Sequence, residues 1–264
     1  MVQATESWGE AKGIYRFFNN ARVYTDRILL SHRKATVERI RGQRIVLAAQ
    51  DTTAMSFNSL QATQGLGPIG AANCRGFFLH SALAMDVNGV PLGLLAARFW
   101  ARDSEGEEPA EKESRRWVET VREVRAIVPE DTRVIVIGDR ESDFFAVFAE
   151  AGAVGADVLV RATHKLAEGW PDLAAALGRA PLLGTMEADI PRGHDHPERH
   201  VTLALHAQAV QLQPPADLHG AEPIRMTVVS ASEIAPPEGE TPVGWVLLTT
   251  LQAETVEQAA VVVR

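Results

Sequence analysis

Two aspartates, Asp51 and Asp139, stand at equivalent points in the chain. Each closes a short apolar run, RIVLAAQ (44–50) before the first and TRVIVIG (132–138) before the second. Short apolar runs rich in β-branched residues are strands, so each carboxylate is expected where a strand ends and a loop or helix begins. Two carboxylates about 4 to 7 Å apart at the rims of neighbouring strands repel each other unless a divalent cation neutralises them. Oxygen ligands alone suit Mg²⁺ or Mn²⁺, which keep several waters and accept phosphate oxygens as further ligands. The competing reading of either residue is a turn or helix cap. A haloacid-dehalogenase phosphatase also carries Asp after its first strand, but the second Asp it needs two residues later is Thr53 here.

The neighbours of Asp139 are themselves charged. In GDRESD (138–143), Glu141 is expected to face solvent or pair with Arg140, and Ser142 or Asp143 to cap the helix that follows. His80, inside the apolar run FFLHSALAM, reads as a hydrogen-bonded core histidine rather than a ligand.

The elements that must position these residues follow from periodicity. Residues 9–40 read as helical, with apolar groups at three- and four-residue spacing. RIVLAAQ is the first strand. After the Gly-rich GLGPIGAANCRG, the stretch FFLHSALAMDVNGVPLGLLAARFWA reads as an antiparallel hairpin turning at Asn88-Gly89. KESRRWVETVREVRAIV (112–128) is an amphipathic helix with Trp117, Val121, Val124 and Ile127 or Val128 on its apolar side. A strand (TRVIVIGD), a helix (SDFFAVFAEAGA) and a strand (ADVLVRA) follow. The order predicts an α/β domain with a mixed sheet whose first three strands are antiparallel neighbours and whose next two join in parallel through helices. It is the strand order of the RNase H-like fold. From residue 165 to 243 prolines and histidines cluster, and EADIPRG, RHVTLALHAQAV and IRMTVVSASEI read as strands of a β-rich insertion. GWVLLTT (244–250) then resumes a buried strand and ETVEQAAVVVR starts a helix. The expected organisation is an N-terminal helical segment (1–43), a catalytic core (44–164), the insertion (165–243), and the core's return strand and last helix (244–264).

Composition narrows the chemistry. The 264 residues are 46% hydrophobic, enough for a sizeable core. No apolar stretch is long enough to cross a bilayer, and the first residues lack the basic and apolar regions of a signal peptide, so a cytoplasmic protein with no membrane partner is expected. Cys74, the one cysteine, cannot build a thiolate metal site alone. A net charge of −8 disfavours attraction to nucleic acid over the whole surface, yet residues 21–44 carry seven Arg and Lys against Asp26 and Glu38. That segment is either a solvated helix face or a phosphate-contacting arm.

Six segments, QDTTAMSF (50–57), GFFLHSALAM (76–85), EKESRRW (111–117), GDRESD (138–143), VRATHK (160–165) and EIAPPEGETPVGWVLLTT (233–250), together resemble the catalytic region of bacterial DDE cut-and-paste transposases of the insertion-sequence-four type. The resemblance runs in order from about Gly13 to the chain end. It implies that Asp51 and Asp139 are the first two acidic ligands of a two-metal Mg²⁺ or Mn²⁺ site that activates water or a DNA 3′ hydroxyl. It implies that Trp245 stacks on a nucleotide flipped from the transposon end, against the alternative of a buried core tryptophan. Arg161 then matches a basic residue near the scissile end, with His164 and Lys165 as phosphate-binding candidates, and the alternative for all three is an ordinary loop. Double-stranded DNA and a homodimer are the implied partners.

The same resemblance sets expectations about what this chain lacks. The family's third acidic ligand, in a Tyr-x-x-Arg-x-x-x-Glu pattern, would begin just after Arg264, and Glu254 and Glu257 read instead as an exposed helix face. The family's DNA-end recognition helices would precede Gly13, and its dimerisation helices would follow the chain end. A chain truncated at both ends is expected to be inactive by itself, since ligand sets act as a unit. The alternatives are an inactive remnant or inhibitory fragment that at most binds DNA or a full-length subunit, and another metal-dependent nuclease of the same fold.

Overall fold

The computed structural model describes residues 5–59, 62–70, 74–102, 110–162, 171–193, 197–216, 218 and 220–264. Its organising element is one sheet of ten strands. The first strand, β1 (Ile45–Ser56), pairs antiparallel with β3 (Arg75–Met85), which pairs antiparallel with β4 (Pro91–Trp100). A two-residue strand, β2 (Gly67–Pro68), borders β3. On its other side β1 lies parallel to β5 (Arg133–Gly138), and β5 lies parallel to β6 (Asp157–Arg161). The expected pairing of the first five major strands is therefore observed. The hairpin turns where expected: both Asn88 N–H and Val90 N–H donate to Asp86 Oδ1 at 2.9 Å, and Gly89 takes a φ of +80° that a side chain would resist.

The β-rich segment continues this sheet. The strands β7 (Leu182–Ile190), β8 (Arg199–Leu212) and β9 (Ile224–Glu233) form an antiparallel meander, and β9 joins β10 (Gly244–Thr249), which pairs antiparallel with β6. The bridge is β10, whose alternate residues serve two cores. Val246 and Leu248 face an apolar cluster with Val158, Val160 and Val228, whereas Trp245 and Leu247 face a second cluster with Leu203, Leu205 and Val229.

Helices cover the first face along most of the sheet. They are α3 (Ala110–Ile127), α4 (Phe145–Val154) and α5 (Pro171–Arg179). Helix α3 buries Trp117, Val121 and Val124 against the sheet, and Val128 just past its end completes the stripe that the periodicity predicts. The other face is covered over β7, β8 and β9 by α6 (Val256–Val263). A capping box starts α6, with Thr255 Oγ1 accepting from Gln258 N–H and the Gln258 side chain reaching back. At the N-terminal end α1 (Trp8–Phe18) and α2 (Thr25–Ile40) are separate helices, and α2 packs on β4.

Four sequence expectations need correction. The helical stretch 9–40 is broken at Asn19–Tyr24, where Asn20 Oδ1 accepts from Arg22 N–H and turns the chain. Strand β1 does not end before Asp51 but runs on to Ser56, because β3 continues to pair with it as far as Gly76. Neither Ser142 nor Asp143 caps α4; its N-cap position is Phe144, with no side-chain bond. Helix α5 lies inside the segment read as a β-rich insertion, where no helix is expected. Its Pro171 at the first helical position and its Leu173 and Ala176 buried on one side are helix signals that the surrounding prolines obscured.

Candidate functional site

Strand register aligns the two aspartates at the same end of neighbouring strands. The β1–β5 pairing runs from Ile45–Arg133 to Ala49–Ile137 with a constant offset. Extended two residues past the last pair, that offset aligns Asp51 with Asp139. Alternation puts both on the same side of the sheet. Val46, Ala48, Val134 and Val136 point into the helix-covered core, so Leu47, Ala49 and Asp51 on β1, and Ile135, Ile137 and Asp139 following β5, point the other way. Both carboxylates belong to exposed residues.

Asp139 is also a cap. Its Oδ1 accepts from Glu141 N–H at 2.9 Å at the head of a 3₁₀ turn, Arg140–Ser142. Ser142 Oγ donates to the Asp139 carbonyl at 2.7 Å, so the serine ties the turn from behind. The turn is tight because Gly138 has no side chain: a Cβ there would stand 2.1 Å from Ser142 Oγ. Asp51 accepts from Thr53 Oγ1 through Oδ2 at 3.0 Å. Among the described residues each carboxylate thus keeps one oxygen without a hydrogen bond. Cap and ligand are not exclusive readings of Asp139.

Arg161 belongs to the same row. The β5–β6 register joins Gly138 to Val160, so the next step sets Arg161 beside Asp139, and on β6 it shares a face with Leu159, opposite the helix-covered Val158 and Val160. The 3₁₀ turn packs on β6 and brings Arg140 near. Burial, followed by the adjacent Arg140 charge, lowers the pKa of the Arg161 guanidinium, and Asp139 opposes both. Two cations next to a carboxylate at one strand edge make a local field suited to an anion.

Trp245 stands at the start of β10 on this face too, since Leu247 is the partner of Arg161 in the β10–β6 pairing. Its ring is half-buried against the second apolar cluster. The core role therefore accounts for part of Trp245, which stands on the same face of the sheet as Arg161. The loop before it is held by Arg199, which donates to Glu233 Oε2 at 2.8 Å, Glu240 Oε2 at 3.0 Å and the Thr241 carbonyl at 2.9 Å. Glu233 Oε2 accepts in turn from Val243 N–H at 2.8 Å. The PPEGETP segment thus owes its shape to an arginine more than thirty residues upstream, which sequence reading passed over.

His164 and Lys165 lie outside the described residues. Glu254 and Glu257 are exposed, as expected. In the basic segment 21–44, Arg33 pairs with Glu123 and Arg39 donates to the Leu92 carbonyl, so these two hold α2 to α3 and β4 rather than forming a free arm. His80 is fully buried with both ring nitrogens hydrogen-bonded, in accord with its reading as a core residue.

The donor types suit a hard divalent cation: two carboxylates aligned on one face by extension of the strand register, each with an oxygen to spare among the described residues. Among the described residues no group of three or more His, Cys, Asp or Glu side chains converges on a metal position. No helix among the described residues is long and apolar enough to cross a membrane. No family model matches the chain.

Proposed function

We propose that the chain is the catalytic core of a DDE-type cut-and-paste transposase with an RNase H-like sheet, acting on double-stranded DNA at transposon ends. The observation that supports this reading is the β1–β5–β6 register, whose extension aligns Asp51, Asp139 and Arg161 on one face of three neighbouring strands. In this reading Asp51 and Asp139 hold Mg²⁺ or Mn²⁺. The bound ions would supply activation of a water or 3′ hydroxyl and charge neutralisation at the scissile phosphate. Arg161 binds a phosphate oxygen of the strand to be cut and orients it over the two carboxylates. Trp245 offers the exposed part of its ring to an unstacked base, while its buried part anchors the ring's position. The cap on Asp139 fixes the direction of one carboxylate oxygen by engaging the other.

The lack of a third converging ligand among the described residues favours a second reading, a fragment that binds DNA or a full-length subunit without cutting. One titration addresses the site in both. Mn²⁺ added to this chain should broaden the NMR signals of Asp51 and Asp139 before those of any other acidic residue. Broadening elsewhere first, or none at these two, overturns the metal assignment. If the site binds Mn²⁺ but no nicking of double-stranded DNA follows, the second reading holds for this chain.

A further inference from the structure

Strand β1 loses half of its support just before Asp51. Its pairing with β5 ends at Ala49–Ile137, whereas its pairing with β3 continues to Ser56–Gly76. Among the described residues, β1 beyond Gln50 is therefore paired with β3 alone, and such a segment twists and frays more readily than a central strand. A carboxylate that must share an ion with Asp139 needs its strand held at this point.

The reverse face of the sheet supplies the hold. His80 lies opposite Thr52 in the β1–β3 register. Its ring reaches the side chains on both sides of Asp51. Nδ1 lies 2.8 Å from Thr52 Oγ1, and Nε2 lies 3.3 Å from Gln50 Oε1. The Gln50 oxygen can only accept, so Nε2 carries the ring hydrogen and Nδ1 accepts from the Thr52 hydroxyl. The ring is fully buried and stands edge-on to Trp117 of α3 at 4.7 Å between centroids, so the clamp is fixed to the helix layer. An isolated polar ring in an apolar strand is costly to bury unless both nitrogens are used, and here both are used on the two neighbours of one residue.

We propose that His80 is a positioning residue: bridging Gln50 and Thr52, it locks the pleat of β1 where β5 no longer supports it and so aims Asp51 at the position it shares with Asp139. The metal half of this role rests on the function proposed above; the clamp itself does not. The two are tested separately in the full chain. Without metal, His80→Leu should speed amide hydrogen exchange at least tenfold at residues 50–53 and leave residues 45–48 of the same strand unchanged. Uniform acceleration along β1, or none, overturns the clamp. With Mn²⁺, His80→Leu should weaken binding at Asp51 about tenfold. His80→Asn, which can still meet the Thr52 hydroxyl, should recover part of that loss. Val121→Ala, a core truncation under α3, should lower the unfolding temperature yet keep the Mn²⁺ affinity. If Val121→Ala weakens Mn²⁺ as much as His80→Leu, or Asn recovers nothing, His80 is only a core residue. If the unsubstituted chain shows no broadening at Asp51 and Asp139, the metal reading fails and takes the aiming role with it, and the exchange result then identifies that failure as one of the site, not of the clamp.

Discussion

The carboxylate of Asp139 has two tasks that substitution can separate. Asn caps a helical turn about as well as Asp, so Asp139→Asn should keep the bond from Glu141 N–H and change stability by less than about 0.5 kcal/mol. It removes the ligand charge, and Mn²⁺ broadening at Asp51 should fall with it. Asp139→Ala loses both tasks and should cost a further ~1 kcal/mol. Denaturant unfolding of the pair, set beside Mn²⁺ titration of the pair, checks the separation; equal stability loss in both variants would deny the cap.

At the scale of elements, two junctions control the site. The turn after β5 closes on Gly138, where a Cβ would lie 2.1 Å from Ser142 Oγ and 2.8 Å from Ser142 Cβ. Gly138→Ala should therefore destabilise by about 1 to 3 kcal/mol, the range of overpacked core positions, measurable as a lower denaturation midpoint with unchanged slope. The second junction is the Arg199 clamp on the loop before Trp245. Arg199→Ala removes the cation that Glu233, Glu240 and the Thr241 carbonyl share and should lower stability, read by chemical denaturation. Arg199→Ala together with Glu233→Gln should recover part of that loss. Double replacement no better than the single one would mean that the arginine acts through packing alone.

For the whole molecule, His80 couples stability to pH. Burial first, then the charges of Arg98 on β4 and Arg116 on α3, push its pKa from 6.5 down to about 4, with Asp51 opposing. A group whose folded pKa lies below its unfolded value binds protons more readily when the chain unfolds. Its stabilising contribution is complete above about pH 6.5 and declines as pH falls toward 4, by on the order of 3 kcal/mol. Unfolding followed from pH 7.5 to pH 4.5 should show this slope in the native chain and a shallower one in His80→Leu. Equal slopes would place the titration elsewhere.

Much of this architecture is legible in one dimension because it is local. The apolar run from Val134 to Gly138, the apolar stripe from Trp117 to Val128 and the Asn88-Gly89 turn each follow from residues within a few positions of one another. The two aspartates stand out for the same reason, each beside an apolar run. What the runs do not encode is how far a strand continues once its partner is known. Strand β1 extends past Asp51 because β3 pairs with it to Ser56, and α5 was obscured by the prolines and strands around it. The alignment of Asp51 with Asp139, the grip of His80 on both neighbours of Asp51, and the hold of Arg199 on the loop before Trp245 all depend on registers between distant strands. Register is set by which apolar face is buried and by how turns close, terms that sum over the whole sheet. Residue types and local periodicity thus determined the candidates, and the pairing of strands decided which of them stand together.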